Sequence, residues 1–375
     1  MKIKDICTSV TDGSHNPPQG IEKSEYMMLS SKNIFDDEIT FDEPRFLSEK
    51  DFEREHKRTQ IAVGDVLLTI VGTVGRTAVV DEDMPAFALQ RSVAVLHPKN
   101  DVCLPRFLMY ALRGKRTYIE NRAKGVAQKG IYLKEVSDID IYIPDISNHE
   151  IIINKLDKVN TIIKLRQEEL LALDNLIKAR FVELFDGKYP EDTLLNLCNI
   201  VDYRGKTPEK VEHGLPFITA KNVKMHHMTL EPREYISKET YDKVMVRGFP
   251  KEGDVVFTTE APLGNVCRIP HFDTEFYIGQ RIVTMQTDAL NPTYLEYALS
   301  DEEFVRKYMG KSSGSTVTGI RVRLLQQLTI PVPARTLQDE FSTFVNQVDK
   351  SKVAVQKALD ETQMLFDSLM QKYFA

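Results

Sequence analysis

The chain has 375 residues, 42% hydrophobic and 28% charged, with 49 basic against 55 acidic side chains and a net charge of −6. That length predicts more than one domain, and the composition excludes a disordered chain. No run of eighteen apolar residues occurs, which excludes a membrane-spanning helix. The opening segment, Met1 to His15, lacks the apolar stretch of a secretory signal, so a cytoplasmic location is expected. Cys7, Cys103, Cys198 and Cys267 show no CxxC spacing, which argues against a disulfide framework and a zinc site.

In chain order, short apolar β-branched runs come first. Val66–Val71 and Thr77–Val80 flank Gly72-Thr73-Val74-Gly75 and predict a hairpin. A helical piece follows at Pro105–Leu112. Then Ile152, Leu156, Val159, Ile163, Leu170, Leu173, Ile177, Phe181 and Leu184 recur in steps of four and three, with Arg166 the polar gap. That is a coiled-coil seam. Pro144 and the capping-box spacing Ser147-Asn148-His149-Glu150 mark its start; Asp186-Gly187 and Pro190 mark its end.

The pattern then starts again. Lys32-Asn33-Ile34 returns as Lys221-Asn222-Val223, Gly64-Asp65-Val66 as Gly253-Asp254-Val255, and Gln90-Arg91 as Gln280-Arg281. Tyr110-Ala111-Leu112 returns as Tyr297-Ala298-Leu299, and Gly125, Gly130 and Ile131 as Gly314, Gly319 and Ile320. The order is kept and the offsets stay between 187 and 190, so the chain is a tandem duplication. The second copy closes with Phe341, Val345, Val348, Val355, Leu359, Phe366, Leu369 and Tyr373, interrupted by Lys352 and Thr362, after a start at Thr336 and Asp339. The expected plan is a mixed domain over 1–146, a helix over 147–187, a mixed domain over 188–335 and a helix over 336–375. The short linker implies antiparallel helices, a dumbbell whose bar of about 36 residues is roughly 50 Å long.

Asn16-Pro17-Pro18-Gln19 is close to the Asn-Pro-Pro-aromatic tetrapeptide of amino-methyltransferases, but Gln19 cannot stack on a flipped base. No glycine-rich cofactor loop, GxxxxGK[ST] phosphate loop or HExxH occurs. The pair His226-His227 reads as loop or surface.

Charge is more informative. Between Leu104 and Lys134, eight basic residues (Arg106, Arg113, Lys115, Arg116, Arg122, Lys124, Lys129, Lys134) accompany the single acid Glu120. Phe304–Arg335 carries Arg306, Lys307, Lys311, Arg321, Arg323 and Arg335 without an acid. A solvated helix face would explain one such island. Two at matched places, beside loops rich in glycine and serine (Gly125–Gly130, Gly310–Gly319), point to nucleic acid.

Over nearly its whole length this plan resembles the specificity subunit of type I restriction-modification systems. The resemblance is carried by Thr11-Asp12-Gly13-Ser14-His15 and its counterpart Asp202–Pro208, by Phe217–Val223, by the two Gly-Asp-Val strands and by the closing helices. It implies a mixed α/β (α+β) fold of two pseudo-symmetric target-recognition domains separated by long antiparallel coiled-coil helices. Each domain would read one part of a bipartite double-stranded DNA site. The helices would space the domains and dock two methyltransferase subunits, with restriction/translocase subunits joining the larger complex. The subunit is non-catalytic in that family, so S-adenosylmethionine, ATP and Mg are expected only in the partners. One departure is His149-Glu150 and Asp339-Glu340 where members often start the closing helix with Gln.

The expected DNA contacts are Arg76, Arg91, Arg113, Lys115, Arg116, Lys124, Gln128, Lys129, Arg204, Lys206, Arg281, Lys307, Lys311, Ser313, Thr316 and Arg321. The spacer and docking residues are Leu156, Ile163, Leu170, Ile177, Val348, Val355, Leu359 and Phe366. Residues shared by the copies (Asn33/Asn222, Asp65/Asp254) are expected to serve the scaffold. Segments that differ (Val71–Arg76 against Glu260–Asn265, Ala127–Lys129 against Thr316–Thr318) are expected to read bases. Three alternatives stay open: a specificity protein of a related, type IIB-like restriction system, a coiled-coil adaptor without DNA, and an enzyme with a repeated site.

Overall fold

The computed structural model describes residues 1–125, 129–187, 189–203, 208–314 and 318–374. Two compact units emerge, Met1–Gln167 with Gln356–Ala375, and Glu168–Val355. The units therefore do not stop where the helices begin. Each takes part of both long helices, Ile146–Phe185 and Arg335–Phe374, into its own body.

In the first unit an antiparallel sheet runs in the order Cys7–Asp12, Val93–Pro98, Val66–Thr69, Thr77–Val79. The expected hairpin is its edge, with Val66 opposite Val79 and Leu68 opposite Thr77. Gly75 turns that hairpin at φ +95°, and a Cβ there would come within 3.1 Å of Arg116 Cγ. A smaller sheet joins Arg45–Phe46, Met27–Leu29 and Phe87–Leu89.

The second unit repeats both sheets. Its larger one runs Asn199–Asp202, Ile282–Gln286, Val255–Thr259, Leu263–Arg268, and its smaller one Tyr235–Ile236, Leu215–Ile218, Tyr277–Ile278. Shared polar residues hold shared turns. Asn33 Oδ1 accepts from Ser30 N and Asn222 Oδ1 from Thr219 N; Asp65 accepts from Ala62 N and Asp254 from Lys251 N.

The seam residues are where the heptads put them. Leu156, Ile163, Ile177, Val348, Val355 and Phe366 are buried, and Leu170 and Leu359 half-buried. They do more than face another helix. Leu156, Ile163 and Phe366 belong to one core with Phe107, Tyr110 and the main sheet, so helix and mixed domain share a single hydrophobic interior in the first unit. In the second unit Asp174 meets Lys352 at 2.6 Å and Arg180 meets Glu340 at 2.8 Å, an antiparallel pairing.

The cap expectations need correction. The helices start at Ile146 and Arg335, so Ser147 and Thr336 already lie inside the first turn. Position 149 has another role. His149 is fully buried, its ring stacked on Phe107 with centroids 3.9 Å apart. Its counterpart is Gln338, which the sequence comparison passed over; Gln338 accepts from Asn291 N at 2.7 Å and donates to Pro333 O at 2.8 Å.

The pair His226-His227 is loop or surface, as expected: His227 is exposed, and the half-buried His226 is a turn residue. It turns the hairpin Val223–Met228 at φ +63°, stacks on Tyr297 and meets Glu296 at 3.0 Å. The matching hairpin of the first unit turns at Asp37, φ +60°, which pairs with Arg106 and accepts from Asn160. Both hairpin tips are clasped to the interior, with opposite polarity.

All four cysteines are buried single thiols, and burial pushes each up to about 12. Histidine replaces glutamine twice in the first unit, giving it a pH response the second lacks at those places. Burial lowers the pKa of His149, so its contribution is lost as pH falls below about 6.5. The Asp65 carboxylate at 2.7 Å raises that of His97, whose contribution is present below about 6.5 and lost as pH rises through the raised value. Gln286 meets Asp254 at the same place in the second unit. His149→Gln is expected to flatten the acid limb of a urea-midpoint profile of the first unit, and His97→Gln to remove the loss on the alkaline side. Unaltered profiles would show that neither histidine titrates with folding.

Candidate nucleic-acid interface

At one end of the main sheet of the first unit, four loops come together through backbone hydrogen bonds. In the first unit the Asp12–His15 loop lies against the Gln90–Ser92 turn, with Ser14 N donating to Leu89 O and Arg91 N to Ser14 O. Gly13 is required there, because a Cβ would lie 2.1 Å from Leu89 O. Ile70 N and Val71 N both donate to Ser92 O, which ties the hairpin turn to the same cluster. Gly72 N donates to Lys129 O and Ile131 N to Ile70 O, adding the glycine loop. That loop is pinched at its base by a reciprocal pair, Lys124 N to Gly130 O at 2.8 Å and Gly130 N to Lys124 O at 2.9 Å.

The second unit repeats three of these ties among its described residues. Ser313 and Gly319 exchange backbone bonds of 2.9 and 3.1 Å, Thr259 N donates to Arg281 O, and Ile320 N to Thr259 O. In the first unit Lys129, the described residue of one segment expected to read bases, is thus bonded to Gly72 of the other, more than fifty residues away in sequence. In the first unit, Gly72, Thr73, Arg76 and Lys129 line one open groove of about 370 Å³.

The basic residues divide into two kinds. Arg113 and Arg116 are not free contacts: both pair with Asp36, and Arg116 also donates to Gly75 O at 3.0 Å. Arg113 stacks on Phe366 at 4.7 Å and buries Nη1 without a partner. Arg106 pairs with Asp37 and Asp157, and Lys307 with Glu191 and Glu303. Arg76 lies over the Phe35 ring at 4.9 Å. Placed inside a unit, these charges neutralise its own acids and stabilise the fold instead of projecting a field.

Arg91, Lys129, Lys311 and Arg321 are exposed and have no ionic partner among the described residues. Lys124 is also exposed, 4.0 Å from Glu135, and Ser313 sits exposed at the base of its loop. Lys115 caps the end of the helix Pro105–Gly114 and does not line that groove. Arg281 differs from Arg91, because Glu260 holds it at 3.1 Å where the first unit has Val71. Gln128, Arg204, Lys206 and Thr316 lie outside the described residues.

One group was missed. Asp12 holds the exposed His15 at 2.7 Å and Arg58 at 3.2 Å, on the rim of the loop cluster. Arg247, 189 residues after Arg58, donates to Asp202 O at 2.8 Å in the second unit. The repeat offset was the signal that could have found this arginine.

The family described as type I restriction modification DNA specificity domain matches residues 1–175. The chain is 26% identical over 189 residues to the EcoBI specificity subunit of Escherichia coli, a type I restriction enzyme; the match spans 49% of this chain and 38% of that subunit. It is 22% identical over 307 residues to the MjaVIII specificity subunit of Methanocaldococcus jannaschii, spanning 72% of this chain and 71% of the relative. The crystal structure of a type I restriction-modification S subunit from M. genitalium has the same fold, with a TM-score of 0.58 at 14% identity, over 100% of this chain and 95% of the other.

Proposed function

We propose that this chain, whose residues 1–175 match the type I restriction modification DNA specificity domain, is the DNA-reading, non-catalytic subunit of such a system. Each unit reads one half of a bipartite duplex site through its loop cluster. Two methyltransferase subunits dock along the closing helices, and restriction/translocase subunits join the larger assembly. S-adenosylmethionine, ATP and Mg are bound by those partners and not by this chain. The observation that carries the reading is the loop cluster itself: three backbone ties common to both units support segments of different sequence, Val71–Arg76 against Glu260–Asn265. A shared scaffold with exchanged lining residues suits two readers of different half-sites.

The test is a methylation map of a host carrying the complete system. Exchanging residues 1–145 for those of another family member is expected to alter one half of the methylated site and leave the other intact. A swap that altered both halves, or a chain without effect on methylation, would overturn the reading.

A smaller prediction concerns Arg281. Glu260→Val removes the carboxylate that holds it and is expected to strengthen duplex binding severalfold at low salt. The salt slope should steepen by about one phosphate contact. An unchanged slope in a fluorescence titration would place Arg281 off the DNA.

A further inference from the structure

The first unit contains a groove of about 480 Å³ remote in composition from the loop cluster. Its walls include Tyr142, Ile151 and Phe374, and its rim Lys115, Lys155 and Lys372. Tyr142 is 74% and Ile151 53% exposed, a large apolar surface left in water at one place. The wall is also built closely: Phe374 packs on Gly114, where a Cβ would lie 2.5 Å from Phe374 Cβ. None of the three lysines has a carboxylate partner among the described residues, and no acid lines the groove.

The second unit has a groove of about 470 Å³ at the matched place. Ala298, Ile330 and Phe185 stand there for Ala111, Ile141 and Phe374, at offsets of 187 to 189. The charges do not match. Glu302 replaces Lys115, and Asp186, Asp301 and Glu303 add further carboxylates, while Lys307 is held by Glu191 and Glu303. Lys178 and Arg306 stand among these carboxylates, so the duplication kept the apolar shape and exchanged an all-basic rim for a mixed one.

We propose that the groove of the first unit docks an acidic polypeptide segment of a partner protein. One aromatic or aliphatic side chain of that segment packs between Tyr142, Ile151 and Phe374, and its carboxylates meet Lys115, Lys155 and Lys372. Unpaired ammonium groups around an apolar floor are complementary to such a segment. A DNA backbone supplies the negative charge but nothing to fill the floor. The matched groove, with four carboxylates among its rim charges, fits the same segment less well. This inference goes beyond the DNA reading and stands without it.

The experiment uses the full chain and two fluorescent twelve-residue peptides, each with a central Leu-Phe pair, one flanked by glutamates and the other by lysines. The glutamate peptide is expected to bind, and to weaken as salt is raised. The doubly substituted chain Lys155→Glu, Lys372→Glu should bind it roughly tenfold more weakly and gain affinity for the lysine peptide. Ile151→Ser should weaken the glutamate peptide without changing the charge preference. Duplex DNA affinity of the same samples is measured in parallel and should not change. Equal binding of both peptides, binding of neither, or a loss of DNA affinity that tracks the lysine substitutions would overturn the proposal. If the wild-type chain failed to bind DNA, that would count against the DNA reading and leave the peptide result intact.

Discussion

Replacing Arg91, Lys124 and Lys129 together by glutamate is expected to lower affinity for duplex DNA of every sequence by roughly 10² to 10³-fold near 0.1 M salt. Each lost phosphate contact removes about 0.9 from the slope of log affinity against log salt, so three contacts flatten it by nearly three. These residues are exposed, and none of the three is an interior tie of the unit, so the variant should remain folded. Arg113 and Arg116 make an instructive contrast. They belong to the same basic island, yet both are bound to Asp36, and Arg116 closes the Gly75 turn. Their substitution should lower stability before it changes the salt slope. A triple variant whose slope equals that of the wild type would show that the loop cluster does not meet phosphate.

Phe341→Ala should destabilise the second unit by about 3–5 kcal/mol, enough to lower its melting temperature by roughly 10 °C. Phe341 is fully buried at the start of the second closing helix. Its ring centroid lies 5.4 Å from Phe181, 5.5 Å from Phe185 and 5.3 Å from Tyr297, all edge-to-face contacts. Truncation leaves a cavity between both helices and the helix Pro292–Ser300, which this cluster joins. Phe341→Leu should cost less than about 1.5 kcal/mol, because it keeps most of the volume. Urea denaturation of the full chain measures both. A loss under about 1 kcal/mol for the alanine variant would mean that the ring cluster is not the core of that unit.

Much of this architecture was legible without coordinates. Periodicities of two and of three-and-a-half are local properties of the chain, and the duplication shows each twice, so errors in one copy are exposed by the other. The hairpin around Gly72–Gly75, the helix from Pro105 and the buried seam from Leu156 to Ile177 were all readable for that reason. The capping boxes were not. Both helices begin one residue early, and the residues at positions 149 and 338 serve packing and turn closure in place of the cap.

By itself the sequence determined the doubled mixed fold, the two closing helices, and which segments differ between the copies. It could not determine which basic side chains are free. Arg116 meets an acid 80 residues away and Arg106 one 51 residues away, and composition contains no information about such distances. Only the tertiary structure divided the islands into interior ties and exposed charges, because a cation beside a carboxylate is spent inside the fold, while one left in water keeps its field. Burial decided the rest. A helix that looked like a separate spacer shares one apolar core with its domain, since a seam of that size lowers its free energy by covering every apolar face within reach.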